Sequence, residues 1–389
     1  MYRFDLSENT GGTQQSLAHS LRKTTFLRPM ASLSKFPLLK LPLLAFQSVL
    51  LNFQFSDLIH FSFSSKRIKY LIKLMKIKFG EFDVHLREKN VHFSLRTTKT
   101  FIEAKWFFNS PEFVERSENM AAKIHINHLR LKSLTVDQDF YTYDRDVDRD
   151  VAHSAKKVFK YLNKLFSCPL PTVFISTEYI LKREWKKTKF FFGLKQCTEL
   201  VVEGHDKIRG KYLRTILEEL VITKQLSLNL PVRKSFKFNI ATIKHPEEIW
   251  IAHCAHWVTS EMIFPLNISR LILNQMKWTA KDFETFVERW VNSDDTFFRF
   301  SQFLWNRRVP ADLNFENLGV ELREFDPEAR GPAYRYSVNQ AYDLSTGRDI
   351  IRKDGLMATV AVSEHFFVFC VWHERHHNMD GVQKTLRLR

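Results

Sequence analysis

The chain has 389 residues, of which 44% are hydrophobic, so it is long enough to bury a substantial core. Its 59 Lys and Arg against 43 Asp and Glu give a formal net charge of +16. A charge of this sign admits nucleic acid, anionic membranes or acidic proteins as partners, and we interpret most of it as a solvated surface. The four cysteines, at positions 168, 197, 254 and 370, have no metal-ligand spacing. They favour reduced, mostly buried thiols and a cytoplasmic or nuclear protein.

Residues 1–33 are polar and aperiodic, which predicts a disordered segment. Residues 36–72 then stay apolar almost throughout and end in a basic run. Lys40, Pro42 and Gln47 interrupt them too early for the roughly 20 apolar residues of a membrane span, so we predict no membrane contact. The stretch reads as short helices, with an extended entry at Leu41-Pro42 and Ser56 as the cap of the second helix.

From residue 81 the period changes to that of strands. Segments 82–87 and 91–96 each alternate between apolar and polar residues, and residues 88–90 lie between them, which predicts a hairpin. Residues 121–136 predict further strand. Residues 150–167 predict an amphipathic helix with Val158, Leu162 and Leu165 on one face, followed by a strand at 172–176.

Residues 198–305 alternate between strand-like and helical segments. The predicted strands are 199–202, 225–230, 248–253, 270–274 and 297–300, and the predicted helices are 211–220, 257–264 and 280–291. The spacing of about 20 to 28 residues is typical of leucine-rich-repeat-like α/β units. Residues 349–355 predict a strand entering an Asp-Gly turn, 356–362 and 365–372 predict a hairpin, and 373–389 predict a polar tail.

Several motifs suggest chemistry, and each has a plainer interpretation. His373 to His377 satisfies the H-E-x-x-H zinc pattern but follows a strand, so we interpret it as surface. Residues 144–150 resemble a calcium loop that lacks its Gly and Glu. His253, Cys254 and His256 predict a packed cluster, and the basic run 183–189 beside Phe190 to Phe192 leaves nucleic-acid binding open. We therefore predict no cofactor, no metal and no catalytic residue.

The 36–72 stretch resembles an F-box. The Leu-Pro start, the apolar helix, the Asp-Leu pair and the later apolar positions match in order. The resemblance implies docking on a Skp-family adaptor and, through it, on a cullin. The expected adaptor-binding residues are Leu41, Pro42, Leu43, Val49, Leu50, Phe53, Asp57, Leu58, Phe61, Ile68 and Leu71.

The C-terminal half resembles the F-box-associated domain of nematode proteins. The matching features are Trp257 and the segments 266–273, 279–282, 286–290, 349–355 and 366–372. The resemblance implies a non-catalytic substrate-recognition subunit of an SCF-type E3 ubiquitin ligase, which holds an unidentified protein substrate through this domain. Its contribution is proximity between a substrate lysine and the conjugating enzyme.

The expected fold is α+β or α/β, with a small helical module before a repeat-like mixed domain that ends in antiparallel strands. The expected divisions are a disordered segment (1–33), the F-box (34–75), a linking β/α region (76–195), the F-box-associated domain (196–372) and the tail (373–389). Three alternatives stay open: a basic nucleic-acid-binding protein, a zinc peptidase, and a 36–72 segment that is only a helical corner of one globular core.

Overall fold

A computed structural model describes residues 38–87, 91–97, 103–108, 122–126, 129–136, 139–143, 151–181, 194–243, 246–253, 255–305, 313, 315, 321–337, 340–374, 376–380 and 382–387. The chain separates into two compact units, residues 1–52 and 53–389. The predicted disordered segment, the calcium-like loop and the basic run with its three phenylalanines lie outside the described residues.

Three helices lie in the predicted N-terminal module, and the others lie between strands further along the chain. They are α1 (Leu43–Leu51), α2 (Phe55–Ser64), α3 (Lys66–Leu74), α4 (Val151–Leu165), α5 (Thr177–Leu181), α6 (Gly210–Glu219), α7 (Ser260–Ile263) and α8 (Ala280–Val291), with 3-10 turns at Leu38–Lys40 and Ile240–Thr242. Among the described residues, no helix combines the length and the apolar character that crossing a membrane requires.

The strands follow in chain order, and all of them belong to the second unit. They are β1 (Phe79–Leu86), β2 (Val91–Thr97), β3 (Glu103–Phe108), β4 (Ala122–Ile126), β5 (Leu129–Val136), β6 (Asp139–Tyr143), β7 (Thr172–Ser176), β8 (Gln196–Glu203), β9 (Val221–Asn229), β10 (Glu248–Ile251), β11 (Arg270–Asn274), β12 (Phe300–Leu304), β13 (Leu322–Arg323), β14 (Ala333–Arg335), β15 (Gln340–Asp343), β16 (Arg348–Ile351), β17 (Met357–Val362), β18 (Phe366–Trp372) and β19 (Lys384–Arg387).

One 16-stranded sheet dominates the second unit, in the order β13-β16-β17-β18-β12-β11-β10-β9-β8-β7-β1-β2-β3-β6-β5-β4. Strands β7 to β12 are consecutive and parallel, and β1 pairs with β7 in parallel as well. Beyond this block the pairs are antiparallel, except that β3 and β6 are parallel. Since β7 pairs with β8, the sheet is continuous across residue 195, where the sequence suggests a boundary. The structure therefore has the predicted helical start and a large mixed sheet.

Aromatic side chains build the core between the helices and one face of the sheet. Phe159 of α4 stacks on Phe82 of β1 at a centroid distance of 5.5 Å. At the other end, Phe283 of α8 lies 5.1 Å from Phe303 and 4.8 Å from Phe367. These contacts place α4 and α8 against the same face of the sheet.

A second sheet covers the opposite face at the β12 end. It has the order β14-β15-β19, and the Tyr342 hydroxyl donates to Gln302 Oε1 at 2.8 Å. Phe300 packs on the rings of Tyr334 and Tyr342 at 5.7 and 5.8 Å. The predicted polar tail therefore contains a strand, β19, because its partner β15 supplies the backbone pairing that the polar composition does not suggest.

Most predicted elements are confirmed, although the bounds of several differ, and two of these differences have a clear local cause. The hairpin β1–β2, the helix α4, the strand β7 and the hairpin β17–β18 occur as predicted. The strand predicted at 297–300 instead begins at Phe300, because Asp295 Oδ1 accepts the amides of Phe297 and Phe298 in a turn. The helix predicted at 257–264 shortens to α7, since Val258 N bonds back to Ala255 O in a preceding turn.

The N-terminus of α8 carries a capping box that ties it to α7. Asp282 accepts the amide of Thr279 at 2.7 Å and the hydroxyl of Ser260 at 2.6 Å. Burial alone raises the pKa of Asp282, but the hydrogen bonds from Ser260 and Thr279 outweigh it and hold the pKa below its ordinary value. The charged carboxylate is therefore the form that stabilises this helix start.

We expect Asp282→Ala to lower the free energy of unfolding by about 1–2 kcal/mol at pH 7, the usual cost of a lost cap. A depressed native pKa contributes stability above the unfolded-state pKa, and that stability is lost as pH falls through the native value. The difference in free energy of unfolding between wild type and variant should therefore become smaller below about pH 4. Urea unfolding across pH checks this, with the exposed Glu288→Ala as the control; a difference that grows in acid would contradict it.

Candidate functional site

The first unit supplies one helix whose start is set by proline. Leu41 N bonds to Leu38 O at 3.3 Å, and Pro42 then takes an extended conformation with φ −52° and ψ 146° at the N-cap of α1. Pro42 O accepts the amide of Phe46 at 2.9 Å as the first helical bond. Proline suits a helix start because its missing N–H would have no partner there. The predicted extended entry at Leu41-Pro42 is confirmed.

Helix α1 is apolar on two sides. Phe46 and Leu50, one turn apart, are its buried residues. Leu43, Leu44 and Leu51 are 52%, 77% and 63% exposed, and we call these three residues the outer surface of α1. A stable helix needs only one buried stripe, and contiguous exposed apolar side chains mark interaction sites. The outer surface of α1 is therefore the first candidate docking surface.

In the second unit, helix α2 buries most of its large apolar side chains. Phe55, Leu58 and Ile59 are buried, and Phe53 contacts Phe61 at a centroid distance of 5.8 Å. Asp57 is exposed in the first turn, where its charge favours the helix dipole. The predicted cap at Ser56 is wrong, because the helix begins at Phe55 and Gln54 is the N-cap residue.

Helix α3 follows directly and has the side-chain cap that α2 lacks. Ser65 accepts the amide of Ile68 at 3.1 Å, so the basic residues that follow Ser65 begin this helix. Ile68 and Ile72 are buried, whereas Tyr70 and Leu74 are exposed. Exposed lysines and an arginine surround Tyr70 and Leu74.

The expected adaptor-binding residues divide into three groups. Pro42, Leu43 and Asp57 are exposed; the half-buried group is Leu41, Val49, Phe53, Phe61 and Leu71; the buried group is Leu50, Leu58 and Ile68. Sequence reasoning missed Leu44, Leu51, Tyr70 and Leu74, which are exposed. Helical spacing did not single out Leu44 and Leu51, because apolar residues of α1 lie on both its buried and its exposed sides.

The second candidate surface is the face of the parallel strands opposite the helices. Phe174, Val201, Ser227, Trp250 and Ile272 lie in one row of directly paired positions across β7 to β11. Trp250 is 40% exposed, although tryptophan is usually well buried. Ile272 packs against the aromatic cluster around Phe300, and Ser227 is buried. The half-buried Phe174 and Val201 and the exposed Trp250 remain, and apolar side chains of this kind suit contact with another polypeptide.

Stacked rings continue this row beyond β7. His85 stacks on Phe174 at 4.4 Å and on His92 at 4.2 Å, and Phe107 lies 4.9 Å from His92 and 5.0 Å from Tyr141. Burial, followed by the charges of His85, Arg87 and Lys105, lowers the pKa of His92 to about 3. His92 is therefore neutral at physiological pH and acts here as an aromatic ring.

The motifs that suggested metal chemistry do not assemble a centre in the part of the chain that the structure describes. His373 and His377 follow β18 without forming a helix, and the ring of His377 packs on Tyr334 at 4.5 Å. No group of three His, Cys, Asp or Glu side chains suited to a metal occurs among the described residues. Burial raises the pKa of the Cys168 and Cys197 thiols to about 12, which makes them poor nucleophiles at neutral pH.

Comparison with known proteins identifies a domain that includes the outer surface of α1. A model of the F-box domain matches residues 38–80, which include α1, α2 and α3. F-box domains in general bind a Skp-family adaptor and mark non-catalytic substrate adaptors of SCF-type ubiquitin ligases. No solved structure matches the chain at a significant level.

Three proteins of Caenorhabditis elegans are similar to the chain. The uncharacterized protein F59B2.9 is 24% identical over 90% of this chain and 83% of its own length. The uncharacterized protein F59B2.8 is 21% identical over 91% of this chain and 82% of its own length. The E3 ubiquitin-protein ligase hecw-1 is 21% identical over 77% of this chain but only 24% of its own length. The chain is thus similar, along most of its length, to nematode proteins, and it carries an F-box match near its N-terminus.

Proposed function

We propose that this protein is an intracellular substrate-recognition subunit of an SCF-type E3 ubiquitin ligase. It docks on a Skp-family adaptor through residues 38–80, reaches a cullin through that adaptor, and forms no covalent bond itself. The observation that carries the proposal is the outer surface of α1, which leaves three leucines exposed inside the F-box match.

The energetics of docking require more than these three leucines. Fully burying an exposed leucine contributes about 1.5–3 kcal/mol, and Leu43, Leu44 and Leu51 are already partly buried. Association costs at least about 4 kcal/mol in lost freedom of motion. Further contacts must come from the exposed or half-buried members of the expected set, of which Leu41, Pro42 and Val49 flank the outer surface of α1.

The substrate binds to the C-terminal domain in this assembly. The parallel strands β7 to β12 begin at residues 172, 196, 221, 248, 270 and 300, which supports a repeat-like, F-box-associated domain. We place the substrate on the row from Phe174 to Trp250, because apolar side chains across several parallel strands suit an apolar segment of another protein. The similarity to part of hecw-1, whose name is that of a ubiquitin-protein ligase, is in keeping with a role in ubiquitin transfer.

We expect Leu43→Ser with Leu44→Ser to weaken capture of a purified Skp-family adaptor by at least about tenfold, since two partly exposed anchors lose their apolar contact. The matched control is Leu170→Ser with Val362→Ser, two exposed apolar residues outside the F-box match, which should leave capture unchanged. Surface plasmon resonance with the full chain immobilised measures both. Equal capture by wild type and the Leu43/Leu44 variant would contradict the proposed docking surface.

A further inference from the structure

Two helices of the second unit carry basic residues without a single acid. Helix α3 has the sequence KRIKYLIKL and α4 has VAHSAKKVFKYLNKL. Their positive side chains recur at helical spacing, so each helix presents a basic ridge. We call the following set the basic face: Lys66, Lys69 and Lys73 of α3 with Lys157, Lys160 and Lys164 of α4.

The two ridges lie side by side because Tyr161 joins the helices. The Tyr161 hydroxyl is hydrogen-bonded to Ser62 at 2.5 Å, and Lys69 Nζ lies 4.2 Å from the centre of the Tyr161 ring. The C-terminal ends also meet, since Ser167 N donates to Ile77 O at 3.0 Å. Burial and the nearby charge of Lys164 lower the pKa of Lys69, as expected for ammonium groups held close together. The ridges thus form one continuous positive surface.

No ion pair between described residues involves the basic face. Some positive side chains elsewhere on the second unit have acidic partners: Lys224 lies 3.1 Å from Glu199 and Arg270 lies 3.7 Å from Glu248. A cluster of like charges without counter-charges repels itself and attracts an anionic surface. A large share of the net charge of the chain is therefore concentrated on α3 and α4.

The side chains between these charges indicate the kind of anionic partner. Tyr70 is 61% exposed and Leu74 is also exposed, one turn apart on α3. Aromatic and aliphatic anchors surrounded by charge are typical of protein interfaces, whereas contacts to a phosphate backbone come mainly from polar and charged groups. An acidic protein surface with an apolar centre complements both features.

We propose that the basic face of α3 and α4 binds an acidic surface of the Skp-family adaptor, so that docking extends beyond the F-box match to α4. Residues 151–165 lie outside that match, which ends at residue 80. This inference rests on the proposed function. Charge complementarity of this kind acts mainly on the association rate and weakens with salt.

The experiment compares adaptor binding to the full wild-type chain and to Lys157→Glu/Lys160→Glu/Lys164→Glu by stopped-flow kinetics at low and high salt. We expect the association rate to fall by about tenfold or more at low salt, with the difference largely lost near 1 M salt. The matched control, Lys207→Glu/Lys234→Glu/Lys277→Glu, changes the net charge equally at exposed sites elsewhere and should have a much smaller effect. Lys→Gln at the same three α4 positions should give an intermediate loss, and circular dichroism verifies folding of each variant.

The outcomes separate this inference from the function on which it rests. If the adaptor binds wild type and the α4 variant at equal rates, the inference is wrong and the proposed function stands. If wild type does not bind the adaptor, both fail. If the α4 variant binds the adaptor normally but loses retention on double- or single-stranded DNA at low salt, the basic face serves nucleic acid and the inference is overturned.

Discussion

Replacing Arg330 by methionine is expected to lower the free energy of unfolding by roughly 3–5 kcal/mol, the usual effect of removing one partner of a buried ion pair. Arg330 has no exposed surface, and its Nε donates to both carboxylate oxygens of Asp349 at 2.9 Å. Its terminal nitrogens donate to the carbonyls of Gly331 and Leu344 at 3.0 Å. The methionine variant leaves the Asp349 carboxylate buried without its counter-charge.

The surroundings of this pair explain why the loss is large. Burial raises the pKa of Asp349, opposed by hydrogen bonds from Thr359 and by Arg330. Thr359 donates to Asp349 at 2.6 Å and accepts from Trp372 Nε1 at 2.7 Å, so the network links three strands of the large sheet to the loop before β14. Loss of Arg330 therefore loosens the attachment of the smaller sheet.

Urea unfolding of Arg330→Met measures this loss, and two further variants test its origin. Arg323→Met removes an exposed partner of Glu321 at 2.9 Å and should change stability by less than about 1 kcal/mol. Arg330→Met with Asp349→Asn removes both charges and should be more stable than Arg330→Met alone. A double variant that is less stable than the single one would show that packing, and not the unpaired charge, dominates.

Replacing Gly204 by alanine is expected to lower the free energy of unfolding by about 2–4 kcal/mol, because two effects add. Gly204 follows β8 with φ +141°, a conformation that side chains rarely adopt. A Cβ there would overlap with Thr177 Oγ1 and lie 2.9 Å from Thr177 Cβ. Thr177 is fully buried at the start of α5, and its Cβ cannot move without its backbone.

Gly355 provides a control that separates these two effects. It has φ +86°, but nothing lies within 4 Å of the position that its Cβ would take. Gly355→Ala should therefore cost only the conformational part, about 1 kcal/mol. Chemical unfolding of both variants measures the difference. Equal losses for Gly204→Ala and Gly355→Ala would mean that the contact with Thr177 is not the reason for the glycine.

Local patterns predicted much of the fold because several segments have strong periods and clear ends. Helix α8 has the predicted bounds, since a capping box begins it and a regular apolar face runs to Val291. Strand β7 has its predicted bounds because prolines precede its alternating residues. Strand β19 was missed, because Thr385 pairs with Ala341, a partner distant along the chain. Pairing of this kind depends on tertiary contacts and leaves no local pattern.

The candidate site was predicted in outline and not in its exposed residues. The order of apolar positions predicted the helices of the F-box match. Helical spacing alone did not reveal which apolar side remains exposed, because α1 is apolar on both sides. Leu44 and Leu51 became visible as candidates only when Phe46 and Leu50 were seen to be buried. The basic face depends on the contacts of Tyr161 with α2 and α3. These contacts join residues that are distant in sequence, so no local pattern predicts them.

The proposed function requires that this chain binds a Skp-family adaptor. Isothermal titration of the purified full chain with the purified adaptor tests it most directly. We expect a saturable one-to-one complex with a dissociation constant of about 1 μM or lower, equivalent to about −8 kcal/mol. A folded chain that gives no binding heat at several temperatures, and that elutes separately from the adaptor in size-exclusion chromatography, would contradict the account.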